Sequence, residues 1–115
     1  MVTEEIVNLL FWFIFLWLGE NNFMSELFNA IDTTGLLSKS QKTIIKYILS
    51  FDSSKGLTAN SIQNYTKSSK QAVNTNLNLL IKRGFLYRKK DRIYLYYCND
   101  KKIQEIVEEY KQSLK

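Results

Sequence analysis

The spacing of apolar residues predicts a helix with an unusual outer face between Ser68 and Phe85. Its inward positions are Val73, Leu77, Leu80 and Ile81, and its outward positions are Lys70, Gln71, Asn74, Thr75 and Asn78. Asn and Thr are poor helix formers, and a helix face that meets only water more often carries Glu, Lys, Gln and Ala. We therefore expect this polar face to contact a partner.

Two helices are predicted upstream of the loop DSSKG. The first covers about Ser25–Ile31 and is followed by the turn TTGL. Ser38 and Gln41 have the spacing of a capping box, in which each residue bonds the other's backbone N–H at a helix start. The helix that they open carries isoleucines at helical spacing and is expected to end near Phe51.

Short polar residues mark the limits of two further helices. Leu57 is expected to form a very short strand, and Thr58 to cap a small helix directly after it. Ser68 or Ser69 is expected to cap the helix with the polar face. Gly84 is expected to end that helix, since glycine adopts the left-handed conformation found after helix C-termini.

After Gly84 the apolar period changes from 3.6 residues to two, which predicts a β-hairpin. The strands are Phe85–Arg88 and Arg92–Cys98, with a tight turn at KKD between them. In the second strand we expect one face, Ile93, Leu95 and Tyr97, to pack on the core and the other, Tyr94 and Tyr96, to point away.

A last helix is predicted from Asp100, which is expected to cap it. Its apolar positions, Ile103, Ile106, Val107 and Tyr110, are close to a heptad stripe. Such a stripe is typical of a dimer seam or of a helix that covers the core of its own chain. We predict a homodimer through these four residues.

Residues 1–23 are expected to form a hydrophobic appendage, with the domain at residues 24–115. The run Ile6–Leu18 is apolar but only thirteen residues long, rising about 20 Å against about 30 Å of bilayer hydrocarbon. One hypothesis is that translation starts at Met24, because Leu18-Gly19-Glu20 reads TTA-GGA-GAA in an AT-rich gene and contains the ribosome-binding sequence AGGAG. The alternatives are a helix that docks on Leu79 and Ile81 or pairs two subunits, and a membrane contact through residues 6–18.

Charge is strongly segregated along the chain. The segment before Lys39 has five acidic residues and no basic ones, whereas the remainder carries sixteen basic and six acidic residues. Between Lys67 and Arg92 there are eight basic residues and one acid, Asp91. Clustered Lys and Arg attract polyanions because they release counterions from phosphates.

The residue types present argue against several classes of function. The chain has no His and a single cysteine, Cys98, which excludes an internal disulfide and a Cys/His metal cluster. No catalytic constellation and no phosphate-binding glycine loop is visible. We expect a cytoplasmic protein without a cofactor and without enzymatic activity.

The segment LTANSIQNYTKSSKQAVNTNLNLLIKRGFLYRKKDRIYLYY resembles the winged helix-turn-helix domain of MarR-like and related small bacterial regulators. The resemblance covers Ser38–Cys98, about half of the chain. It implies a mainly α fold with a small β-hairpin, a winged helix-turn-helix with extra N- and C-terminal helices. It also implies double-stranded DNA as the partner, with the hairpin contacting phosphates or the minor groove.

The candidate DNA-binding residues follow from the chemistry of the two elements. An α-helix fits the major groove, where amides pair with adenine, a Thr methyl meets thymine, and Lys reaches guanine or phosphate. The recognition-helix candidates are Ser68, Ser69, Lys70, Gln71, Asn74, Thr75 and Asn78, with Asn76 as a further amide; the wing candidates are Arg88, Lys89, Lys90 and Arg92.

These observations predict a sequence-specific double-stranded DNA-binding protein that regulates transcription. One alternative is an accessory DNA-binding protein of a conjugative plasmid or mobile element, acting at a transfer or replication origin. Another is a winged helix that serves only protein–protein assembly. Further alternatives are that the asparagines reflect an AT-rich genome, and that Tyr94 and Tyr96 stack on single-stranded bases.

Overall fold

The computed structural model describes residues 21–51 and 55–114, with side chains from residue 25 onward. The predictions for Ile6–Leu18 lie outside these residues. The elements are α1 (Asn21–Thr33), α2 (Lys39–Leu49), α3 (Ala59–Thr66), α4 (Lys70–Lys82), β1 (Leu86–Asp91), β2 (Ile93–Cys98) and α5 (Asp100–Ser113). The mainly α fold with one β-hairpin is thus confirmed. Within the described ranges, every helix is too short or too polar to span a bilayer.

Local hydrogen bonds at the start of α2 confirm the predicted capping box. The Ser38 Oγ accepts a hydrogen bond from the Gln41 backbone N–H at 3.2 Å, and the Gln41 Oε1 accepts one from the Ser38 N–H at 3.1 Å. The Gln41 side chain is buried, and both bonds satisfy groups that a helix start otherwise leaves unpaired. This pairing fixes where α2 begins.

The helix-turn-helix unit is also held by caps at the predicted places. Thr58 Oγ1 accepts from the Ser61 N–H at 3.1 Å and starts α3. Ser69, rather than Ser68, caps α4 by accepting from the Ala72 N–H at 3.1 Å. Gly84 follows α4 with φ of +85°, a conformation that glycine adopts without steric cost.

The core lies between the helices and the inner face of the hairpin. α1 packs on α5, α2 packs on α3 and β2, and α4 packs on α3 and β1. The largest fully buried side chains are Phe85, Ile31, Ile44, Ile45, Ile62, Leu77, Leu80, Val73 and Val107. This packing holds α4 with its apolar stripe inward and its polar face outward.

The hairpin differs from the prediction in its turn and in its facing. β1 continues to Asp91, which pairs with Ile93, so the turn is at Arg92 and KKD belongs to the strand. Tyr96 is buried, at 5% exposure, whereas Ile93 is 56% exposed. The predicted inner face was therefore wrong: the buried Leu86 pairs with Cys98, and strand alternation places Tyr96 on that same inward face.

A backbone bridge ties this strand to the helix-turn-helix unit. The Leu57 N–H donates to the Tyr96 carbonyl at 3.0 Å, and the Tyr96 N–H donates to the Leu57 carbonyl at 2.8 Å. The short strand predicted at Leu57 is thus confirmed.

The apolar stripe of α5 is part of the core of a single chain. Ile103, Ile106 and Val107 are 5%, 3% and 2% exposed, and Tyr110 packs half-buried against the same cluster. Side chains already covered by α1 and the core are not available to a second subunit, so the predicted dimer seam does not fit these positions. The burial agrees with the core-covering alternative.

The start of α5 also needs a correction. Asn99, not Asp100, is the residue before the helix, and its Nδ2 donates to the Gly84 carbonyl at 3.0 Å. The Asn99 N–H donates to the Phe85 carbonyl at 2.9 Å. Asn99 thereby joins the start of α5 to the end of α4.

Candidate nucleic-acid interface

The outer face of α4 is open to solvent as predicted. All five predicted outward positions, Lys70, Gln71, Asn74, Thr75 and Asn78, are exposed. At about 100° per residue, these five positions cover an arc of roughly 140° around the helix axis. Val73, Leu77 and Leu80 are buried on the other side, so the polar face is held in a fixed orientation.

Three other polar residues predicted for this site, Ser68, Ser69 and Asn76, do not lie on this exposed face. The Ser69 hydroxyl is occupied by the cap of α4. Ser68 and Asn76 are half-buried and line a groove between α4 and α2. Asn76 therefore lies beside the exposed face and not on it.

A groove of about 470 Å³ lies between α4 and the hairpin. Lys70 and Asn74 line it from α4 and Asn60 and Gln63 from α3, while its apolar part includes Val73 of α4 and Ile93, Tyr94 and Tyr96 of β2. Because side chains from all three elements meet there, the polar face of α4 continues onto the hairpin as one concave surface.

The two faces of the hairpin divide the wing cations between them. The Arg88 guanidinium carbon lies 4.3 Å from the centroid of the Tyr94 ring, and the Lys90 Nζ lies 5.7 Å from it. Lys89 is on the opposite face because strand side chains alternate. Arg88 and Lys90 therefore share a face with the Tyr94 ring, which lines the groove.

On the opposite face, Lys89 belongs to an aromatic cluster. The rings of Tyr87 and Tyr97 stack with centroids 5.2 Å apart and planes 11° from parallel. The Lys89 Nζ lies 5.8 Å from the Tyr87 ring centroid and 5.6 Å from that of Tyr97. Lys89 is thus separated from the groove by the hairpin itself.

Solved structures with a similar fold include MarR-family proteins. A mutant of S. aureus MepR bound to oligodeoxyribonucleotide is 18% identical over 89% of this chain and 75% of its own, with a TM-score of 0.59. A MarR family protein from Bacillus stearothermophilus is 15% identical over 99% of this chain and 80% of its own, with a TM-score of 0.55. A second S. aureus MepR mutant is 21% identical over 68% of this chain, with a TM-score of 0.56, and this chain spans 58% of its length.

The fold is a MarR-like winged helix. No protein-family model matches the sequence, and no curated protein matches it significantly. The winged helix thus rests on the element order, the hairpin and the structural likeness, all of which agree with the resemblance seen in the sequence.

Several basic residues of the winged helix have structural partners. Arg83 donates to the Leu36 carbonyl through Nη2 and lies 3.5 Å from the Gln41 Oε1 through Nη1. The Lys46 Nζ forms an ion pair with Asp32 at 2.8 Å. These cations hold the end of α4 and the end of α1 against α2.

The sequence pattern predicted no contact role for Asn60 and Gln63, and it predicted for Tyr94 only a position facing away from the core or, in one alternative, stacking on single-stranded bases. Asn60 and Gln63 stand at i and i+3 on α3, a spacing that places two residues on one helix face. That spacing was a usable signal. The position of Tyr94 depends on the register of the hairpin, which the sequence did not define.

Cys98 is a poor candidate for chemistry at this site. Burial, with a smaller effect from the charge of Asp100, raises the pKa of its thiol to about 12. Because of this raised pKa, the thiol stays protonated at neutral pH. The thiolate, which is the reactive form of cysteine, is therefore scarce. Among the described residues, no cluster of His, Cys, Asp or Glu is arranged to hold a metal ion.

Proposed function

We propose that this protein is a cytoplasmic regulator of transcription that binds double-stranded DNA sequence-specifically. It acts as a homodimer and has no enzymatic activity. One observation carries the proposal: an exposed amide and hydroxyl face on α4 that continues, through the groove at Tyr94, onto a cationic hairpin. The MepR mutant whose fold is similar is described as bound to an oligodeoxyribonucleotide, which supports the same partner here.

The proposed contacts follow from the chemistry of the DNA grooves. With α4 in the major groove, Gln71 and Asn74 face base edges, where an amide pairs with the N6 and N7 atoms of adenine. Thr75 offers a methyl group to thymine, and Lys70 reaches guanine or a phosphate. Base contacts of this kind specify sequence.

The wing supplies charge beside the recognition helix. Arg88 and Lys90 carry their cations on the hairpin face that shares the groove, and Arg92 stands at the turn. Lys and Arg that neutralise phosphates make binding steeply salt-dependent. We therefore assign positioning and affinity to the wing, and sequence selection to α4.

The test compares Asn74→Ala with Lys90→Ala in fluorescence anisotropy. Duplexes selected from genomic fragments and random duplexes are titrated at salt concentrations between about 50 and 200 mM. Asn74→Ala should cost about 1–3 kcal/mol on the selected site and little on random DNA. Lys90→Ala should weaken both alike and reduce the slope of log K against log salt by about 0.9.

Lys101→Ala is the matched control for charge, because Lys101 is exposed on α5. It should leave the salt slope nearly unchanged. Absence of salt-dependent binding would refute the proposal and favour a protein–protein assembly role. The genomic positions of the selected sites distinguish transcription control from action at a transfer or replication origin.

The homodimer is tested separately by sedimentation. Two-fold symmetry would place two recognition helices roughly 34–36 Å apart, matching half-sites one helical turn apart. A protein that sediments as a monomer, both free and on its selected site, would refute this part of the proposal.

A further inference from the structure

A second polar groove, of about 160 Å³, runs along the other side of α4. Lys39, Ser40 and Thr43 line it from α2, Thr66 from the end of α3, Ser68 from the turn before α4, and Asn76 from α4 itself. Asn74 lines the wing-side groove. Asn76 is two residues further along α4, so the two side chains point about 200° apart around the helix axis. The exposed face of α4 therefore lies between two grooves.

The lining of this second groove favours an anion. Its polar side chains are hydroxyls, an amide and the ammonium group of Lys39, and the described lining contains no carboxylate. Lys39 and Ser40 are exposed at its edge. Hydroxyls, amides and lysines are among the groups through which proteins contact the phosphates of DNA.

The turn at the end of this groove holds a lysine in a costly conformation. Lys67 stands between Thr66 and Ser68 with φ of 56° and ψ of 26°, and it is exposed. Left-handed backbone at the end of a helix is ordinarily occupied by Gly or Asn, because the Cβ of other residues lies too close to the following carbonyl oxygen there. A lysine at this position is better explained by its charge than by the turn.

We infer that Lys39 and Lys67 contact DNA phosphates on the side of α4 opposite the wing. The inference deepens the proposed function and rests on it. A helix in the major groove, which is about 12 Å wide, has a phosphate backbone on each side. Arg88 and Lys90 serve one strand, and this groove serves the other.

The experiment measures the salt slope of Lys39→Ala, Lys67→Asn and the double variant on a selected and on a random fluorescent duplex. Each single change should reduce the slope by about 0.9, and the double change by about 1.8. Affinity should fall equally for selected and random DNA. Lys67→Asn should melt no lower than the unmodified protein, because Asn tolerates the left-handed conformation.

Lys101→Ala controls for loss of a remote charge, and Lys90→Ala reports on the wing. If Lys90→Ala flattens the slope while Lys39→Ala and Lys67→Asn do not, the inference is wrong and the proposed function stands. If the unmodified protein shows no salt-dependent binding, both fail. A marked fall in the melting temperature of Lys67→Asn would show that the lysine serves the fold, which also overturns its role here.

Discussion

Replacing Tyr94 with Leu should weaken DNA binding by releasing Arg88. Tyr94 is 43% exposed, and the Arg88 guanidinium carbon lies 4.3 Å from the centroid of its ring. A cation over an exposed aromatic ring gains about 0.5–1 kcal/mol. Without the ring, Arg88 must be ordered when DNA binds, so the affinity should fall about two- to fivefold.

Tyr87→Leu provides a closely matched control on the other face of the same hairpin. Tyr87 is 42% exposed, and its neighbouring cation is Lys89, with 5.8 Å from the Nζ to the ring centroid. Both variants remove one exposed tyrosine ring from the wing. Only Tyr94→Leu is expected to change DNA affinity, and Tyr94→Phe, which keeps the ring, should bind nearly as the unmodified protein does.

The decisive assay is a double-mutant cycle of Tyr94→Leu and Arg88→Ala, measured by anisotropy on a random duplex. If the ring acts through Arg88, the two changes should be coupled by about 0.5–1 kcal/mol. Additivity within about 0.3 kcal/mol would refute the reasoning. An equal loss of affinity in Tyr87→Leu would refute the division of the wing into two faces.

Two further predictions concern the fold and the thiol. Gly56→Ala should lower the melting temperature for two reasons. An added Cβ would lie 2.7 Å from the Tyr97 Cζ, and Gly56 has φ of +66°. The left-handed strain alone amounts to about 1–2 kcal/mol. Gly35→Ala, whose added Cβ meets nothing within 4 Å, should be neutral or slightly stabilising, and equal melting of the two variants would contradict the argument. The pKa of the Cys98 thiol is raised from 9.0 to about 12. At pH 8 its thiolate fraction is therefore about a thousandfold smaller than that of a thiol with the ordinary pKa. Alkylation of Cys98, measured by mass spectrometry, should be very slow in the folded protein and fast in denaturant. Fast alkylation of the folded protein would contradict the burial.

The starts of α2, α3 and α4 could be predicted from the sequence because their causes are local. A cap is a hydrogen bond between residues two or three positions apart, as at Ser38, Thr58 and Ser69. The end of α4 was predictable from Gly84, which follows it in a left-handed conformation. The exposed face of α4 follows in the same way, from the helical period and the positions of the apolar residues.

The facing of the hairpin could not be predicted, because β2 reads IYLYYC and offers large apolar or aromatic groups to both faces. Its orientation depends on long-range pairing: the bridge between Tyr96 and Leu57, and the register that pairs Leu86 with Cys98. The division of the wing cations follows from this register. Alternation gives the period of a strand, but it does not say which face is buried.

The apolar stripe of α5 shows the same ambiguity on a larger scale, and Ile106→Glu resolves it. A stripe at heptad spacing is satisfied equally by a second chain or by the core of its own chain, and Ile106 is 3% exposed within one chain. A buried carboxylate without a partner costs several kcal/mol, against a total stability of about 5–15 kcal/mol. The variant should therefore lose cooperative thermal unfolding by circular dichroism. Gln112→Glu adds the same charge at an exposed position of α5 and should change stability by no more than about 0.5 kcal/mol. If Ile106→Glu instead melts like the unmodified protein while sedimentation shows that a dimer has become a monomer, the stripe is a seam between subunits after all.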